Sequence, residues 1–183
     1  LPATPTIPII AYHILTAPYT LHASAGDAAA YDCCIRLLHM TAAYDCCTVL
    51  HRQMVAGGQP IGLGLIENVI KECAEEADIP ANLAAQARPT GAISYTYEAT
   101  DGLKPDIMFC YDLALPEDFV PRNTDGEVAA FYRLPIGEVA KIVESSLEFK
   151  FNCNLVIIDF LVRHGFLPPE HPDYLRLIQG LRQ

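Results

Sequence analysis

Four charged residues lie close together at positions 71–76, and their spacing suits metal chemistry. Glu72, Glu75 and Glu76 are three and four positions apart, so a helix would place their carboxylates on one face. Like charges on one face repel each other, and a divalent cation would relieve that repulsion. Ligands that offer only oxygen favour Mg²⁺ or Mn²⁺, which also hold substrate phosphates. A solvated acidic helix face has the same spacing and, on spacing alone, is the favoured interpretation.

The composition narrows the possible partners and compartment. Twelve basic residues against twenty-two acidic ones give a formal charge of −10, which speaks against a nucleic-acid groove. No apolar run approaches the roughly 20 residues that span a bilayer, so no membrane partner is expected. Seven cysteines without the spacing of a disulfide framework indicate a reducing compartment. The first thirty residues lack the pattern of a secretory signal, so we expect a cytoplasmic protein.

The first part of the chain is internally repetitive. Ala-Ala-Tyr-Asp-Cys-Cys at 29–34 returns at 42–47, a period of 13 residues that fits no common repeat architecture. Four cysteines with His39 and His51 could form a zinc site. Vicinal cysteines chelate one tetrahedral ion poorly, however, so a short tandem duplication is the favoured interpretation. We therefore divide the chain into an atypical segment, 1–52, and a domain at 53–183.

Helices and strands alternate from residue 53, which predicts the α/β class. The pattern predicts a helix over 66–78 that ends before Pro80, and a loop over 117–126. An almost entirely apolar helix at 153–164 should be buried, and His164 should cap its C-terminal end. The remaining predictions are strands at 91–97, 106–115 and 127–134, and helices at 136–145 and 174–181.

Residues 57–79 resemble the Nudix box, whose pattern is G-x5-E-x7-R-E-U-x-E-E-x-G-U. Gly57 falls on its opening glycine, and Glu72, Glu75 and Glu76 fall on the three acidic positions of its helix. Lys71 replaces the arginine and keeps its charge, but not its bidentate geometry. Glu67 could pair with Lys71 one turn away, although it points away from the acidic face. The other two departures from the pattern are Leu63 in place of glutamate and Asp78 in place of glycine.

Further segments resemble one branch of the Nudix family, related to the Nudix half of fungal thiamine pyrophosphokinase fusions and to similar plant and fungal proteins. The resemblance runs from about Gln53 to Arg182 and does not include 1–52. It implies a Nudix α/β/α sandwich with a mixed sheet, in which the N-terminal strands could be incomplete. The segments that carry it are 91–95, 109–116, 123–128, 149–152 and 158–165.

The resemblance also implies an activity. Water would attack a diphosphate linkage in a small molecule and release the monophosphate, with Mg²⁺ or Mn²⁺ stabilising charge and activating the water. Glu72, Glu75 and Glu76 would be the metal ligands, with Glu72 and Glu76 also catalytic, and Lys71 would orient the cluster. Glu127 would be a distal ligand or general base; an ordinary acid at a strand edge is an equally good interpretation.

The implied substrate is thiamine diphosphate or its oxidised oxy and oxo forms. A heteroaromatic ring calls for aromatic stacking and a few polar anchors. Tyr97 is a further candidate for stacking. Each side chain considered also has a packing or surface role as an alternative. The residues proposed to bind substrate are Gly57, Gly58, Tyr95, Lys150 and Asn152.

Two other functions stay open at this point. One is a different Nudix chemistry, such as hydrolysis of a nucleotide sugar or isomerisation of a prenyl diphosphate with Cys110 as the catalytic thiol. A buried strand cysteine explains Cys110 more simply. The other is a degenerate Nudix domain that binds a ligand without turnover, which the departures at Leu63, Lys71 and Asp78 would favour. The oligomeric state is open as well.

Overall fold

The structure is a computed structural model that describes residues 30–37, 47–50, 54–100, 102–126, 128 and 130–182. For the first two of these ranges it describes the backbone alone. Six strands and five helices are found in this part of the chain. In order they are β1 (Ala30–Leu37), β2 (Cys47–Leu50), β3 (Ala56–Gly58), α1 (Leu65–Ala77), α2 (Ala81–Ala84), β4 (Arg88–Ala99), β5 (Gly102–Leu113), β6 (Phe131–Leu134), α3 (Ile136–Ser145), α4 (Phe151–Arg163) and α5 (Tyr174–Gly180).

This mixture of strands and helices confirms the α/β class. The helices α1, α3, α4 and α5 lie within two residues of their predicted bounds. The two predicted strands in the middle of the chain are longer than expected and form one hairpin, β4–β5. The last strand begins only at Phe131, so the predicted strand over 127–134 is too long at its start. The short helix α2 was not predicted.

Four strands form a mixed sheet in the order β3-β1-β5-β4. β1 runs parallel to β5 and antiparallel to β3, while β4 and β5 are antiparallel. A separate antiparallel pair joins β2 to β6. Because β1 comes from the segment 1–52 and lies between β3 and β5, that segment supplies an interior strand of the sheet. β3 lies at one edge of the four strands.

The sheet carries α1 on one face and α4 on the other. A side chain at Gly57 would point at Glu72 of α1. Gly57 and Phe109 of β5 are paired with the same position of β1, so they face the same side of the sheet. Asp106 lies three residues from Phe109, so it faces the opposite side. Its partner across β4–β5 is Tyr95, which is bonded to Asn152 of α4. Two helical layers therefore enclose the sheet.

Apolar residues fill the space on both sides of the sheet. Val69 and Cys73 of α1 are fully buried on one side, and Val156 and Phe160 of α4 are fully buried on the other. As predicted, α4 is largely buried: seven of its 13 residues are buried, while its first and last residues are exposed. No helix among the described residues is long and apolar enough to cross a bilayer.

The C-terminal end of α4 is held by ion pairs. Arg163 makes a bidentate pair with Asp112 of β5, at 2.9 and 3.0 Å, and bonds Asp159 at 2.9 Å. His164 is the C-cap residue of α4, as predicted, and stacks on Phe160 with 4.0 Å between ring centroids. This cluster ties α4 to β5 and gives His164 a structural role.

Candidate functional site

Helix α1 begins at a capped turn directly after the edge strand. Gly64 is the N-cap residue, and its backbone N–H donates to the carboxylate of Glu67 at 2.8 Å. The side chain of Gln59 donates to the carbonyl of Leu63 at 2.6 Å and closes the preceding loop. Glu67 therefore caps the helix, as acidic residues do near helix N-termini, and the suggested pairing of Glu67 with Lys71 is wrong.

Helix α1 ends on a residue in the left-handed region. Asp78 has φ 54° and ψ 36°, and the backbone N–H groups of Asp78 and Ile79 donate to the carbonyls of Ala74 and Cys73. Aspartate tolerates this conformation better than most side chains, which explains why the glycine of the family pattern can be replaced here.

The three glutamates of α1 differ in their exposure to solvent. Glu72 is 7% exposed and Glu76 is 1% exposed, whereas Glu75 is exposed to solvent. The expectation of a single acidic face is therefore only partly right: two carboxylates, one turn apart, lie on the buried side of the helix, and the third lies at its margin. That buried side comprises Asn68, Val69, Glu72, Cys73, Glu76 and Ala77.

The carboxylate of Glu72 lies against the backbone of Gly57. A Cβ atom added at Gly57 would overlap both oxygens and the carboxyl carbon of Glu72, far inside van der Waals contact. Glycine at this position therefore leaves the space that the carboxylate occupies between α1 and β3. Gly57 is in contact with Glu72 in the structure, and its binding of substrate stays a prediction.

Lys71 joins two of the three glutamates. Its ammonium group lies 3.1 Å from the carboxylate of Glu72 and 2.7 Å from that of Glu75. Burial opposes the charged form of Lys71, but the hydrogen bonds to Glu75 and Glu72 outweigh it and raise its pKa. Lys71 therefore stays protonated at neutral pH and is bonded to both carboxylates; its role in orienting a metal-binding cluster stays a prediction.

Asn68 is a further residue of this site, one that was not predicted from the sequence. It is fully buried one turn before Glu72, and its amide nitrogen donates to the carbonyl of Gly58 at 3.2 Å. This bond ties α1 to the edge strand β3 at the level of the glutamates. The spacing of Asn68 from Glu72 could have indicated this role, because positions 68, 72 and 76 are four residues apart and lie on one side of a helix.

We expect replacement of Lys71 by methionine to lower kcat/KM for the reaction proposed below by about tenfold, because partners that orient metal-binding carboxylates typically contribute 10- to 100-fold. Lys71→Arg should stay within about threefold of the native protein, since it keeps the charge and the reach to both glutamates. Steady-state phosphate release measures this. Lys141→Met, on the exposed side of α3, is the matched control. Unchanged turnover in Lys71→Met would remove the orienting role.

A loop packs on the C-terminal end of α1. The hydroxyl of Thr124 donates to the carbonyls of Ala74 and Glu75, and the backbone N–H of Arg122 donates to Ala77. Arg122 also pairs with the carboxylate of Asp78 at 2.5 Å. Glu127, the predicted distal ligand or base, lies outside the described residues.

The side chains of this site offer oxygen atoms that could bind a cation. Glu72 and Glu76 offer buried carboxylates, and Asn68 has a buried amide oxygen without a hydrogen-bond partner in the described part of the chain. An all-oxygen donor set of this kind fits Mg²⁺ or Mn²⁺. Among the described residues, however, no group of three or more His, Cys, Asp and Glu side chains is placed to hold a metal ion. The carboxylate of Glu75 is bonded to Lys71.

A second polar cluster lies on the other face of the sheet. The hydroxyl of Tyr95 donates to the carboxylate of Asp106, and the amide of Asn152 donates to that hydroxyl at 3.1 Å. All three side chains are buried. The structure thus brings together Tyr95 and Asn152, two predicted substrate-binding residues, and adds Asp106, which sequence reasoning missed because the pairing of β4 with β5 is needed to see it.

Aromatic rings border this second cluster. The rings of Tyr95 and Phe151 meet edge to face with 5.4 Å between centroids, and Tyr97 lies 5.9 Å from Phe151. Phe151 is 50% exposed although it begins an apolar helix. Lys150, the N-cap residue of α4, is exposed beside it. The predicted substrate-binding residues Tyr95, Lys150 and Asn152 therefore lie around the first turn of α4, apart from Gly57 and Gly58.

Asp106 should make stability depend on pH. Burial raises the pKa of its carboxyl above 3.8, although the hydrogen bonds from Tyr95 and the N–H of Ile107 oppose this. Because the pKa of Asp106 is higher in the folded state than in the unfolded state, its protonation contributes to the free energy of unfolding. This contribution is complete below pH 3.8 and is lost as the pH rises through the pKa of the folded state. We expect Asp106→Asn to gain stability relative to the native protein as pH rises from about 4 to 7, in melting curves at several pH values. A difference in Tm between the two proteins that does not change with pH would contradict the raised pKa of Asp106.

Comparison with known proteins decides the family. Over 129 residues the chain is 51% identical to Nudix hydrolase 20, chloroplastic, of Arabidopsis thaliana. The matched region covers 70% of this chain and 34% of that protein. This part of the chain belongs to the Nudix hydrolase family. Nudix hydrolase 24, chloroplastic, of the same plant is 50% identical over 129 residues, 70% of this chain and 35% of that protein. An uncharacterized protein of Saccharomyces cerevisiae is 36% identical over 143 residues, 71% of this chain and 42% of its own.

The chain thus spans about a third of the length of the two plant Nudix proteins it matches. No family model matches it. Among solved structures, an Ap4A hydrolase of C. elegans in a binary complex superposes with a TM-score of 0.44 at 15% identity, over 75% of this chain and 93% of that one.

Proposed function

We propose that this chain is a divalent-metal-dependent Nudix hydrolase that cleaves a diphosphate linkage in a small molecule. The observation that carries the proposal is the burial of Glu72 and Glu76, one turn apart on α1 and beside the edge strand β3. Buried carboxylates are costly unless a positive charge compensates them. Lys71 is bonded to Glu72 and Glu75, and a divalent cation beside the two buried carboxylates would add further positive charge to this side of α1.

The chain offers oxygen ligands for such a cation. Glu72 and Glu76 would hold it, and Glu75 would join them after turning from Lys71. Mg²⁺ or Mn²⁺ at this place would offset the charge of the diphosphate and lower the pKa of an attacking water. This arrangement also explains how a protein of charge −10 can bind a polyanion.

The edge strand next to the carboxylates supports the same reaction. Gly57 and Gly58 end β3, and their lack of side chains would let substrate phosphates approach the backbone closely. The contact of Gly57 with Glu72 and the bond of Gly58 to Asn68 keep this strand in place beside α1. We propose that both glycines border the diphosphate.

Glu127 is our proposed distal ligand or general base. A general base has to come within hydrogen-bond reach of the attacking water. Thr124, three positions before Glu127, is bonded to the last turn of α1, and the amide of Asn123 is bonded across the turn to the carbonyl of Val128. The first contact holds the loop before position 127 against α1, and the second links Val128 to the same loop, which supports this role.

For the substrate we propose thiamine diphosphate or its oxidised oxy and oxo forms, and we place the chain in the branch related to thiamine pyrophosphokinase fusions. Tyr95, Tyr97 and Phe151 would face the heteroaromatic ring. Lys150 at the N-terminal end of α4, beside the proposed ring position, would favour the approach of an anionic substrate, because helix N-termini and ammonium groups attract anions.

Phosphate release with Mg²⁺ or Mn²⁺ tests the proposal. The panel is thiamine diphosphate, its oxo analogue, ADP, a nucleotide sugar (with phosphatase added to release phosphate) and a prenyl diphosphate. We expect metal-dependent release that is fastest with one of the two thiamine compounds. Faster turnover of a nucleotide would retain the hydrolase and reject the thiamine substrate. No turnover of any compound, together with retained binding, would leave a degenerate ligand-binding Nudix domain.

The isomerase alternative depends on Cys110. This thiol is buried on β5 and donates to the carbonyl of Met108 at 3.7 Å, a contact that suits a structural cysteine. A cytoplasmic location stays our prediction for this chain; the two plant relatives are named as chloroplastic.

A further inference from the structure

The last turn of α1 carries acidic residues at the unfavourable end of the helix. Glu75 and Glu76 lie in this turn, Asp78 follows it directly, and the turn contains no basic residue. The C-terminal end of a helix is the negative end of its dipole, so each of these charges opposes it. The last carbonyls of a helix also lack partners within the helix, and terminal turns fray. This turn therefore depends on contacts from outside the helix, and the loop at 117–126 supplies them.

The loop caps three carbonyls of this turn. The hydroxyl of Thr124 lies within hydrogen-bond distance of the carbonyls of Ala74, at 3.2 Å, and Glu75. The backbone N–H of Thr124 donates to the carbonyl of Glu75 at 3.3 Å. The backbone N–H of Arg122 donates to the carbonyl of Ala77 at 3.2 Å. Two loop residues, about 50 positions further along the chain, thus supply hydrogen-bond donors to the end of α1.

Arg122 also brings a positive charge to this end of the helix. Its guanidinium pairs with the carboxylate of Asp78 at 2.5 Å. The two side chains are 76% and 40% exposed, so water and salt weaken this pair. The bonds from Thr124 to backbone carbonyls join neutral groups and are less sensitive to salt. Thr124 therefore contributes more than the guanidinium of Arg122 to holding the loop on the helix.

The segment around Thr124 is itself closed by hydrogen bonds. The side chain of Asn123 accepts from the backbone N–H of Gly126 at 2.8 Å and donates to the carbonyl of Val128. Val128 is 6% exposed, so its burial anchors this end of the loop. Thr124 therefore joins a closed turn, which leads to position 127, to the last turn of α1.

We infer that Thr124 is a positioning residue for the glutamates at the end of α1. By capping the last turn it holds the backbone of Glu75 and Glu76, whose carboxylates would bind the cation, and the N–H of Arg122 assists it. Loop docking and cation binding order the same turn, so each strengthens the other. The inference rests on the proposed function for the cation, whereas the docking is a property of the metal-free protein.

Hydrogen–deuterium exchange of the metal-free protein tests the docking. Thr124→Val removes the hydroxyl and keeps the shape of the side chain. We expect exchange about fivefold faster in the loop and in the last turn of α1, the factor that corresponds to one net hydrogen bond of about 1 kcal/mol. Thr124→Ser keeps the hydroxyl and should exchange like the native protein. Thr96→Val, the same change at an exposed position of β4, is the control and should change nothing.

The affinity for Mn²⁺ separates positioning from a purely structural role. The EPR signal of free Mn²⁺ gives the Kd without turnover. We expect Thr124→Val to raise this Kd about fivefold, by the same lost hydrogen bond, and Thr124→Ser and Thr96→Val to keep the native value. Mg²⁺ should in turn slow exchange of the loop in the native protein. Unchanged exchange in Thr124→Val would overturn the docking, and faster exchange with an unchanged Kd would overturn the positioning role.

Failure of this inference and failure of the proposed function give different results. A native protein that binds Mn²⁺ and hydrolyses a diphosphate, with a Kd that is the same in Thr124→Val, retains the hydrolase and loses the positioning role. A native protein without affinity for Mn²⁺ loses the metal-dependent hydrolase and, with it, the coupling between the loop and the cation.

Discussion

Replacement of Glu76 by glutamine is expected to lower metal-dependent phosphate release about a thousandfold, a loss of roughly 4 kcal/mol of transition-state stabilisation. Glu76 is the most buried of the three glutamates, so its charge has the least competition from water when a cation binds. Glutamine keeps the shape and removes the charge that the cation needs. Initial rates with saturating Mn²⁺ measure the effect.

Thermal melting separates loss of metal binding from loss of fold. At about 100 times its Kd, a metal that binds only the folded state adds about 2.7 kcal/mol of stability, or roughly 5–10 °C in Tm for a chain of this size. The native protein should show this rise with Mn²⁺ and Glu76→Gln should not. Glu144→Gln, at an exposed position of α3, should behave like the native protein. A full Mn²⁺-dependent rise in Glu76→Gln would reject Glu76 as a ligand.

Replacement of Gly57 by alanine is expected to lower kcat/KM about a hundredfold, although Gly57 itself carries no functional group. The new methyl group would occupy the place of the Glu72 carboxylate, which must then turn away from β3. Forced displacement in a packed interior also costs about 1–3 kcal/mol of stability. Kinetics at a temperature well below the Tm of the variant measure the catalytic loss separately from unfolding.

Gly137→Ala is the matched control for this prediction. Gly137 lies in α3, and a Cβ atom there would meet nothing within 4 Å. Alanine in a helix is favoured over glycine by about 0.5–1 kcal/mol, so this variant should be more stable and fully active. Near-native activity in Gly57→Ala would show that the position of Glu72 between α1 and β3 is not needed for turnover.

The helix that carries the glutamates could be predicted closely from the sequence. Apolar residues at helical spacing and Pro80 define it, and α1 lies within one residue of the predicted bounds at each end. The link between Lys71 and two glutamates also follows from spacing along one helix. The separation of Glu72 and Glu76 from Glu75 does not, because burial depends on which side of α1 meets the sheet.

The first segment shows the limit of local sequence most clearly. The hexapeptide at 29–34 and its copy at 42–47 are identical, yet β1 begins within the first and lies inside the main sheet, while β2 begins at the last residue of the second and pairs with β6. Identical local preferences cannot distinguish these outcomes. Strand partners far away along the chain decide them.

The sequence by itself determined the family, the α/β class and the helix of three glutamates with Lys71, because these depend on neighbours within a few positions. Only the tertiary structure decided that Gly57 makes room for Glu72, and that Asp106 meets Tyr95 and Asn152. These contacts join elements far apart in sequence across both faces of one sheet. They arise from strand register and helix packing, which no local pattern of residues specifies.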